Sequence, residues 1–221
     1  MQYATYIYTG DLKAPAVVSI NGGSTPVWHQ NRWDTGEYAQ YIRNNGCGHC
    51  CTAMAARLHG VELDPMAEYL YCRKTWGAPQ ENGSPVQHHF ATTGGIVKVL
   101  RAHRIPAEAF GVPSDGLDAV MAHIGDALSQ GKQVIFWSEP TPEFPDNPFS
   151  KGAHYVMAVG YDQNGKIVIA NSSEKPWCKD GIQLVEPEII ARALYKGSCP
   201  GDLTWGEPEH FEQCAGYVVV G

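Results

Sequence analysis

The chain has 221 residues, a hydrophobic fraction of 43% and a formal net charge of −7. These values suit one globular domain with a full core, and the acidic balance disfavours a nucleic-acid-binding protein. No stretch approaches the roughly 18 apolar residues of a membrane span, and residues 1–13 lack the features of a secretory signal. We therefore expect no membrane insertion and a cytoplasmic location as encoded, although release by another route stays open.

The first predicted elements are short strands and loops in residues 1–35, which are rich in Tyr, Val, Thr and Gly. Apolar residues from Cys51 to Leu58 then recur at helical spacing, and Gly60 ends this run. Asp64-Pro65 is typical of a helix N-cap followed by a proline in the first turn. This pair predicts a second helix that continues to about Trp76.

Two more helices follow. Thr92 or Thr93 is expected to cap the first of them, while Ser114 opens the second and Gly131 closes it. Strands are predicted afterwards from "QVIFWS", "HYVMAVGY", "KIVIANS" and "CAGYVVVG", at residues 133–138, 154–161, 166–172 and 214–221. Helices first and antiparallel strands afterwards indicate an α+β fold.

The central pair of strands is predicted to form a hairpin around an Asn-Gly turn. If Tyr161 pairs with Lys166, the same register places Val156 opposite Asn171. His154 and Asn171 then project from one face as diagonal neighbours, roughly 7–8 Å apart between backbones. An imidazole and a carboxamide can bridge that distance, but a bulge in the hairpin would shift the register.

The chain has an odd number of cysteines, so at least one thiol is unpaired within it, and without a signal peptide we expect reduced thiols. Three of them cluster in "NNGCGHCC" at residues 44–51. This segment is compatible with a redox pair, with half of a zinc site, or with a single cysteine nucleophile. The seven cysteines are Cys47, Cys50, Cys51, Cys72, Cys178, Cys199 and Cys214.

The first two interpretations lack support elsewhere in the chain. A redox Cys47/Cys50 pair of the thioredoxin type follows a hydrophobic strand, whereas "YAQYIRNNG" before Cys47 is polar. A structural zinc site normally has two clusters of ligands at tight spacing, and only one C-x-x-C is present. Cys178, Cys199 and Cys214 are isolated, so the candidate zinc ligands are limited to Cys47, Cys50, Cys51, His49, His88 and His89.

The nucleophile hypothesis accounts for more of the sequence. Cys47 lies where a loop enters a helix, and the helix dipole is expected to lower its thiol pKa and favour the thiolate. His154 is the candidate base and Asn171 the residue that orients it. Gln40 is a candidate oxyanion donor together with the Cys47 backbone N–H. Taken singly, each of these residues is more often a capping, turn or surface residue.

The sequence also resembles a known family. The segments "GCGHCCTAMAARLHG", "TTGGIVKVLRAHRIPAEAF", "LSQGKQVIFWS" and "GAHYVMAVGYDQNGKIVIANSS" occur in the order seen in papain-fold peptidases similar to the double-glycine leader peptidases of bacteriocin export. The stand-alone bacterial and phage relatives without a transporter domain are the nearer match. The resemblance covers about residues 38–175. It implies that Cys47 is the nucleophile, His154 the general base and acid, Asn171 the orienting residue and Gln40 the oxyanion donor.

The motif departs from its relatives, which commonly have Pro-Thr-Ser where this chain has His49-Cys50-Cys51. A disulfide between Cys47 and a neighbouring thiol would act as a redox guard on the nucleophile, although inert packing of Cys50 and Cys51 is the stronger expectation. Asn171 replaces a common Asp, as in papain-like enzymes. The substrate cleft is expected to include backbone and side chains near both halves of the site: Gly46, Gly48, His49, Gly152 and Ala153.

We therefore predict one papain-like domain over residues 1–221, with a family core at 36–175 flanked by an N-terminal and a C-terminal extension. The expected substrate is a peptide, and no metal or organic cofactor is required. A peptidoglycan peptide is the second substrate option, and a thiol-disulfide oxidoreductase or a catalytically silent binding module is the alternative function. The loop at residues 139–152 is expected to wall the cleft with its acidic side chains, Glu139, Glu143 and Asp146.

Overall fold

The computed structural model describes residues 2–8, 15–33, 38–76, 92–112, 116–173, 180–194 and 216–221. Its helices are α1 (Ala39–Asn45), α2 (Cys47–Leu58), α3 (Pro65–Trp76), α4 (Thr93–Ala102), α5 (Leu117–Ser129) and α6 (Pro187–Ala193). Its strands are β1 (Thr5–Ile7), β2 (Val17–Ile20), β3 (Gly23–Pro26), β4 (Ala107–Phe110), β5 (Gln133–Ser138), β6 (His154–Tyr161), β7 (Ile167–Ala170), β8 (Ile182–Val185) and β9 (Tyr217–Val220). None of the helices described combines the length and apolar character needed to cross a bilayer.

The described strands form two antiparallel sheets, which together with the helices confirm the predicted α+β class. The smaller sheet has the order β1-β2-β3, and the larger has the order β4-β9-β5-β6-β7-β8. β9 comes from the C-terminal part of the chain, yet it lies between β4 and β5 and pairs with both. The final residues are therefore an interior part of the larger sheet.

β6 lies inside the larger sheet and separates two cores. Tyr155, Met157 and Val159 contribute to the core that contains α2, α3 and α4. Val156 and Ala158 project from the opposite face into the core that contains α5 and α6. Because side chains alternate along a strand and both faces are covered by helices, β6 is buried along almost its whole length.

The predicted helix starts are confirmed where they fall within the described residues. The Ala67 backbone N–H donates to Asp64 Oδ1 at 2.7 Å, which caps α3. The Gly95 N–H donates to Thr92 Oγ1 at 3.0 Å, which makes Thr92 the cap of α4. Ser114 lies outside the described residues. Gly131, with a φ of 79°, follows α5 as expected.

α1 and α2 meet at a tight junction that the sequence did not predict. The Gly46 N–H donates to the Ile42 carbonyl oxygen at 2.7 Å and closes α1. A Cβ atom at Gly46 would clash with that same carbonyl oxygen and with the Ile42 side chain. Only glycine therefore lets α2 start directly after α1, and this junction makes Cys47 the first residue of α2.

The hairpin of β6 and β7 has the predicted register at one end only. Met157 pairs with Ala170, as predicted, but Tyr161 pairs with Ile167 and not with Lys166. A bulge between Ala158 and Gly160 absorbs the one-residue difference. The prediction was wrong at the turn because the loop has an extra residue, and it was right at the end that leads to His154.

The smaller sheet is attached to the turn end of the β6–β7 hairpin. The Ala4 N–H donates to the Tyr161 carbonyl oxygen at 2.7 Å. Asn21 and Gly22 have positive φ angles of 54° and 81° and form the tight turn between β2 and β3. Gly23 then approaches the Leu58 backbone so closely that a Cβ atom would clash. Asn21-Gly22-Gly23 is thus a packed hairpin turn.

Candidate active site

His154 and Asn171 lie together at the end of the β6–β7 hairpin. His154 Nε2 is 2.9 Å from Asn171 Oδ1, and the two side chains are 4% and 0% exposed. An amide oxygen only accepts hydrogen bonds, so Nε2 carries the hydrogen and donates it. Nδ1 is then the ring nitrogen that can exchange a proton with another group. This is the pairing that the sequence predicted from the hairpin register.

The Asn171 amide is hydrogen-bonded at both ends. Its Oδ1 also accepts from the Ser173 backbone N–H at 2.8 Å. Its Nδ2 donates to the Phe149 carbonyl oxygen at 3.0 Å and to Gln183 Oε1 at 2.9 Å. Gln183 in turn donates from Nε2 to the Pro148 carbonyl oxygen at 2.8 Å. The amide is therefore oriented by its surroundings, with its oxygen toward His154.

Gln183 was not predicted from the sequence. It lies on β8, and the Asn171 N–H donates to the Gly181 carbonyl oxygen at 2.7 Å just before that strand. Residues 181 and 183 share one face of a strand, which makes Gln183 a diagonal neighbour of Asn171. The available signal was a lone glutamine between Ile182 and Leu184. Recognising Gln183 from the sequence would have required the knowledge that β8 pairs with β7.

Cys47 is half-buried at the N-terminus of α2 and packs against the core that includes Tyr155. The Cys47 thiol lies close enough to the backbone of Tyr155, the residue after His154, for that backbone to affect its pKa. Burial raises the pKa of the Cys47 thiol, and the N–H groups of Tyr155, Gly48 and Cys47 itself lower it only in part. The expected net lowering of this pKa at the helix N-terminus is thus wrong, because desolvation outweighs the backbone donors.

Cys50 and Cys51 are fully buried in the core formed by α2, α3 and α4. Both are free thiols, and burial raises both pKa values well above the ordinary range. A thioredoxin-type pair needs a first thiol with a lowered pKa and a strand before the motif. Here a helix, α1, precedes the motif, and the pKa of the Cys47 thiol is raised. The local structure therefore disfavours a thioredoxin-type redox pair.

Gln40 lies in the first turn of α1 and is exposed. Its assignment as an oxyanion donor stays a prediction. A second glutamine, Gln30, contacts the segment after β7, because its backbone N–H donates to the Ser172 carbonyl oxygen at 2.9 Å. Gln30 Nε2 also donates to the Arg43 carbonyl oxygen at 3.1 Å and connects this segment to α1.

The predicted cleft residues fall into two groups. Gly152 and Ala153, which precede His154, are exposed, whereas Gly46 and Gly48 are buried at the start of α2. The prediction that His49 lines the cleft was wrong. Its side chain is fully buried, and its ring contacts Tyr41 and Tyr69 rather than solvent. Because its side chain is enclosed between α2 and α3, His49 is not available to a substrate.

His49 belongs to a separate buried cluster with Glu68 and Cys72. His49 Nδ1 hydrogen-bonds to Glu68 Oε2, and the Cys72 thiol donates to Glu68 Oε1 at 3.4 Å. One ligand atom from each residue lies within 4.8 Å of the others, so these three residues could hold a metal ion. Burial and the Glu68 charge raise the pKa of the Cys72 thiol, which keeps its proton on the sulfur. Both neighbours hydrogen-bond to Glu68, whereas His49 Nε2 is buried without a hydrogen-bond partner among the described residues.

The segment from Glu139 to Gly152 forms a loop attached to this site. Phe149 is fully buried, and its carbonyl oxygen accepts from Asn171. The Asn147 side chain holds the loop to the strand before it, because Nδ2 donates to Ser138 Oγ at 2.9 Å. A pocket of about 380 Å³ lies along the loop and is lined by Pro145, Asp146, Asn147, Pro148 and Lys151.

These observations describe a cysteine at the start of a helix and a histidine–asparagine pair at the end of a hairpin, within a papain-like α+β fold. A family model described as the Peptidase_C39 like family matches residues 24–192 of the chain. The chain belongs to this family, and the membership supports a cysteine-type peptidase. No curated protein matches the chain.

Proposed function

We propose that this protein hydrolyses peptide bonds with Cys47 as the nucleophile, His154 as the general base and acid, and Asn171 as the residue that orients His154. One observation carries the proposal. The backbone of Tyr155, the residue after His154, lies near enough to the Cys47 sulfur to affect its pKa, while His154 Nε2 is 2.9 Å from Asn171 Oδ1. These observations support a shared site for the thiol of α2 and the imidazole and amide of the β6–β7 hairpin.

The raised pKa of the Cys47 thiol determines the first step. The thiol keeps its proton in the resting site, so His154 Nδ1 must accept that proton as the sulfur attacks the substrate carbonyl carbon. The imidazolium that forms donates through Nε2 to Asn171 Oδ1. The Cys47 backbone N–H and the exposed Gln40 side chain are the proposed donors to the oxyanion.

Collapse of the tetrahedral intermediate breaks the peptide C–N bond. His154 Nδ1–H gives its proton to the departing amine, and the acyl group remains on Cys47 as a thioester. A water molecule then attacks the thioester while Nδ1 accepts a proton from it, and the carboxylic acid leaves as the thiol is restored. Asn171 orients the ring throughout and is not itself protonated.

The proposed substrate is a peptide with small residues near the cleaved bond. The family link to double-glycine sites supports this choice by analogy. The loop from Glu139 to Gly152 is the proposed wall of the cleft, because Asn171 donates to its Phe149 carbonyl oxygen. Its acidic residues are expected to disfavour acidic substrates.

The experiment compares the Cys47→Ala and Cys50→Ala variants. Both are incubated with a peptidyl chloromethyl ketone that ends in glycine, and the labelled residue is identified by peptide mapping. We expect the label on Cys47 in the wild-type protein and in Cys50→Ala, and no label in Cys47→Ala. Cleavage of quenched fluorescent peptides with small residues is expected to follow the same pattern.

The same variants separate the alternatives. A thiol-disulfide oxidoreductase would reduce insulin, and both substitutions would abolish that activity. A silent binding module would label no faster than free cysteine at neutral pH, with no cleavage of any peptide in the set. Either of these outcomes contradicts the proposed peptidase.

A further inference from the structure

A carboxamide has nearly the same shape in its two flipped orientations, but only one of them suits the proposed reaction. With Oδ1 toward His154, Asn171 accepts the hydrogen on Nε2 and leaves Nδ1 as the basic nitrogen. The flipped amide would present an NH₂ group to Nε2, which would favour the opposite tautomer. The orientation of the Asn171 amide therefore decides which nitrogen of His154 faces a proton donor.

Gln183 completes a directional chain of hydrogen bonds that sets this orientation. Its Nε2 donates to the Pro148 carbonyl oxygen at 2.8 Å, so its Oε1 must face Asn171. That oxygen accepts from Asn171 Nδ2 at 2.9 Å, and Asn171 Oδ1 then faces His154. Because a carbonyl oxygen at one end can only accept, the polarity of each bond in the chain follows from the previous one.

The same chain connects the loop before His154 to the sheet. Asn171 donates to Phe149 and Gln183 donates to Pro148, which are consecutive carbonyl oxygens in that loop. Phe149 is fully buried, while Gln183 is half-buried at the edge of this region. Gln183 thus contacts the loop directly and the base only through Asn171.

We propose that Gln183 is a positioning residue, which acts through Asn171 to keep His154 in the Nε2–H tautomer with Nδ1 as the base. This inference rests on the proposed peptidase function and adds a residue from β8 to its site. The Phe149 carbonyl and the Ser173 N–H favour the same amide orientation. Loss of Gln183 is therefore expected to weaken the preference and not to abolish it.

The first test is the Gln183→Met substitution, which keeps the side-chain length and removes both hydrogen bonds. We expect kcat to fall about tenfold, which is the size of one neutral hydrogen bond expressed as a rate, with little change in KM. Gln133→Met is the matched control, because Gln133 is buried and also makes two hydrogen bonds, to His59 and to the Gly131 carbonyl oxygen. The control is expected to lose stability but no kcat.

A second background distinguishes positioning from a purely structural role. In Asn171→Asp the carboxylate has two equivalent oxygens, so the residue has no wrong orientation. Gln183→Met is then expected to change kcat by about twofold or less, although it costs about tenfold in the presence of Asn171. Equal losses in both backgrounds would contradict the proposal. If Gln183→Met does not fold, Gln183→Glu is tested with the opposite expectation: it keeps the acceptor for Asn171, so kcat should be retained although the donor to Pro148 is lost, and a tenfold fall would contradict the proposal.

A spectroscopic measurement does not depend on catalysis. ¹⁵N NMR of the His154 ring, recorded in the Cys47→Ala background at a pH where the imidazole is neutral, reports which nitrogen carries the hydrogen. We expect Nε2–H in the parent protein and a mixture of tautomers after Gln183→Met. An unchanged tautomer together with an unchanged kcat would overturn the role of Gln183. Peptide cleavage that survives Cys47→Ala would overturn the peptidase instead and leave the NMR result to judge Gln183 alone.

Discussion

His49 and His154 are both buried histidines, yet they differ in their partners and in what surrounds them. His49 pairs with the carboxylate of Glu68 between α2 and α3, where both side chains are 0% exposed. His154 pairs with the neutral amide of Asn171 at the end of a hairpin, beside exposed Gly152 and Ala153. The first pair is enclosed by helices, whereas the second borders a loop next to solvent.

The difference shows how the partner determines what a buried histidine can do. In the first cluster Glu68 accepts from His49 on one oxygen and from Cys72 on the other. Both carboxylate oxygens of Glu68 are therefore hydrogen-bonded inside the protein. In the second, the chain through Asn171 determines the Nε2 hydrogen and leaves proton exchange to Nδ1. The first arrangement cross-links two helices, and the second is suited to moving a proton.

The largest expected effect breaks the first cluster. Glu68→Ala removes the acceptor of both His49 and Cys72 and leaves buried polar groups without a partner, so we expect a loss of about 3–5 kcal/mol in the free energy of unfolding. Urea denaturation measures this change. Glu62→Ala is the control, because Glu62 pairs with Arg57 but its side chain is 84% exposed, and its loss is expected below about 1 kcal/mol. Equal losses for Glu62 and Glu68 would remove the distinction between the clusters.

The next effect breaks the second cluster. Asn171→Ala is expected to lower kcat about 100-fold, because the His154 ring loses the acceptor that sets its tautomer. The rate is measured per folded molecule, with the folded fraction taken from circular dichroism. Asn147→Ala serves as the control, since Asn147 is a buried asparagine that bonds Ser138 and the Phe149 N–H but not His154. A similar fall in kcat for both variants would assign the effect to the loop.

The pH dependence of stability compares the thiols of the two regions. Burial raises the pKa of Cys47 at the start of α2 and of Cys72 in the Glu68 cluster, so the folded state binds protons that the unfolded state releases. Their stabilisation is complete below the ordinary thiol pKa of about 8.5 and is lost as the pH rises above it, by up to about 1.4 kcal/mol per pH unit for each thiol. Urea denaturation from pH 7 to 10 measures the slope. Cys47→Ala and Cys72→Ala should each reduce it, and an unchanged slope in both would contradict the raised values.

The smallest effect concerns the loop that borders only the second cluster. Glu139→Gln, Glu143→Gln and Asp146→Asn together are expected to raise kcat/KM for an acidic peptide about two- to fivefold relative to a neutral one. The effect is small because Glu143 and Asp146 are exposed and act through water, and half-buried Glu139 is bound to Trp137 Nε1. The difference should shrink in 0.5 M salt, with competition between the two peptides as the measurement. The wall hypothesis fails if the ratio between the two peptides does not change.

Local signals in the sequence predicted the helix starts. Asp64 and Thr92 cap α3 and α4 as expected, because capping depends on residues within one turn of each other. α1 was missed, since its seven residues end at Gly46 by a tight approach to Ile42 rather than by a recognisable pattern. The position of β9 between β4 and β5 could not be predicted either, because the order in which strands pair depends on the whole sheet.

The candidate site shows the same limit. The hairpin pattern predicted that His154 and Asn171 share a face, and the bulge between Ala158 and Gly160 changed only the end near the turn. Gln183 could not be found because its role depends on which strand lies beside β7. His49 was predicted to line the cleft because it lies two residues after Cys47. In the structure Cys47 packs near the sheet, whereas the His49 side chain points toward α3 and Glu68.

The central claim is that His154 removes the proton from a Cys47 thiol of raised pKa. The most direct measurement is the rate of Cys47 alkylation by iodoacetamide from pH 5 to 10, in the wild-type protein and in His154→Ala, with the labelled residue identified by peptide mapping. We predict substantial labelling at neutral pH in the wild type. In His154→Ala, labelling should appear only above the ordinary thiol pKa of about 8.5. Coincident pH profiles for the two proteins would contradict the account.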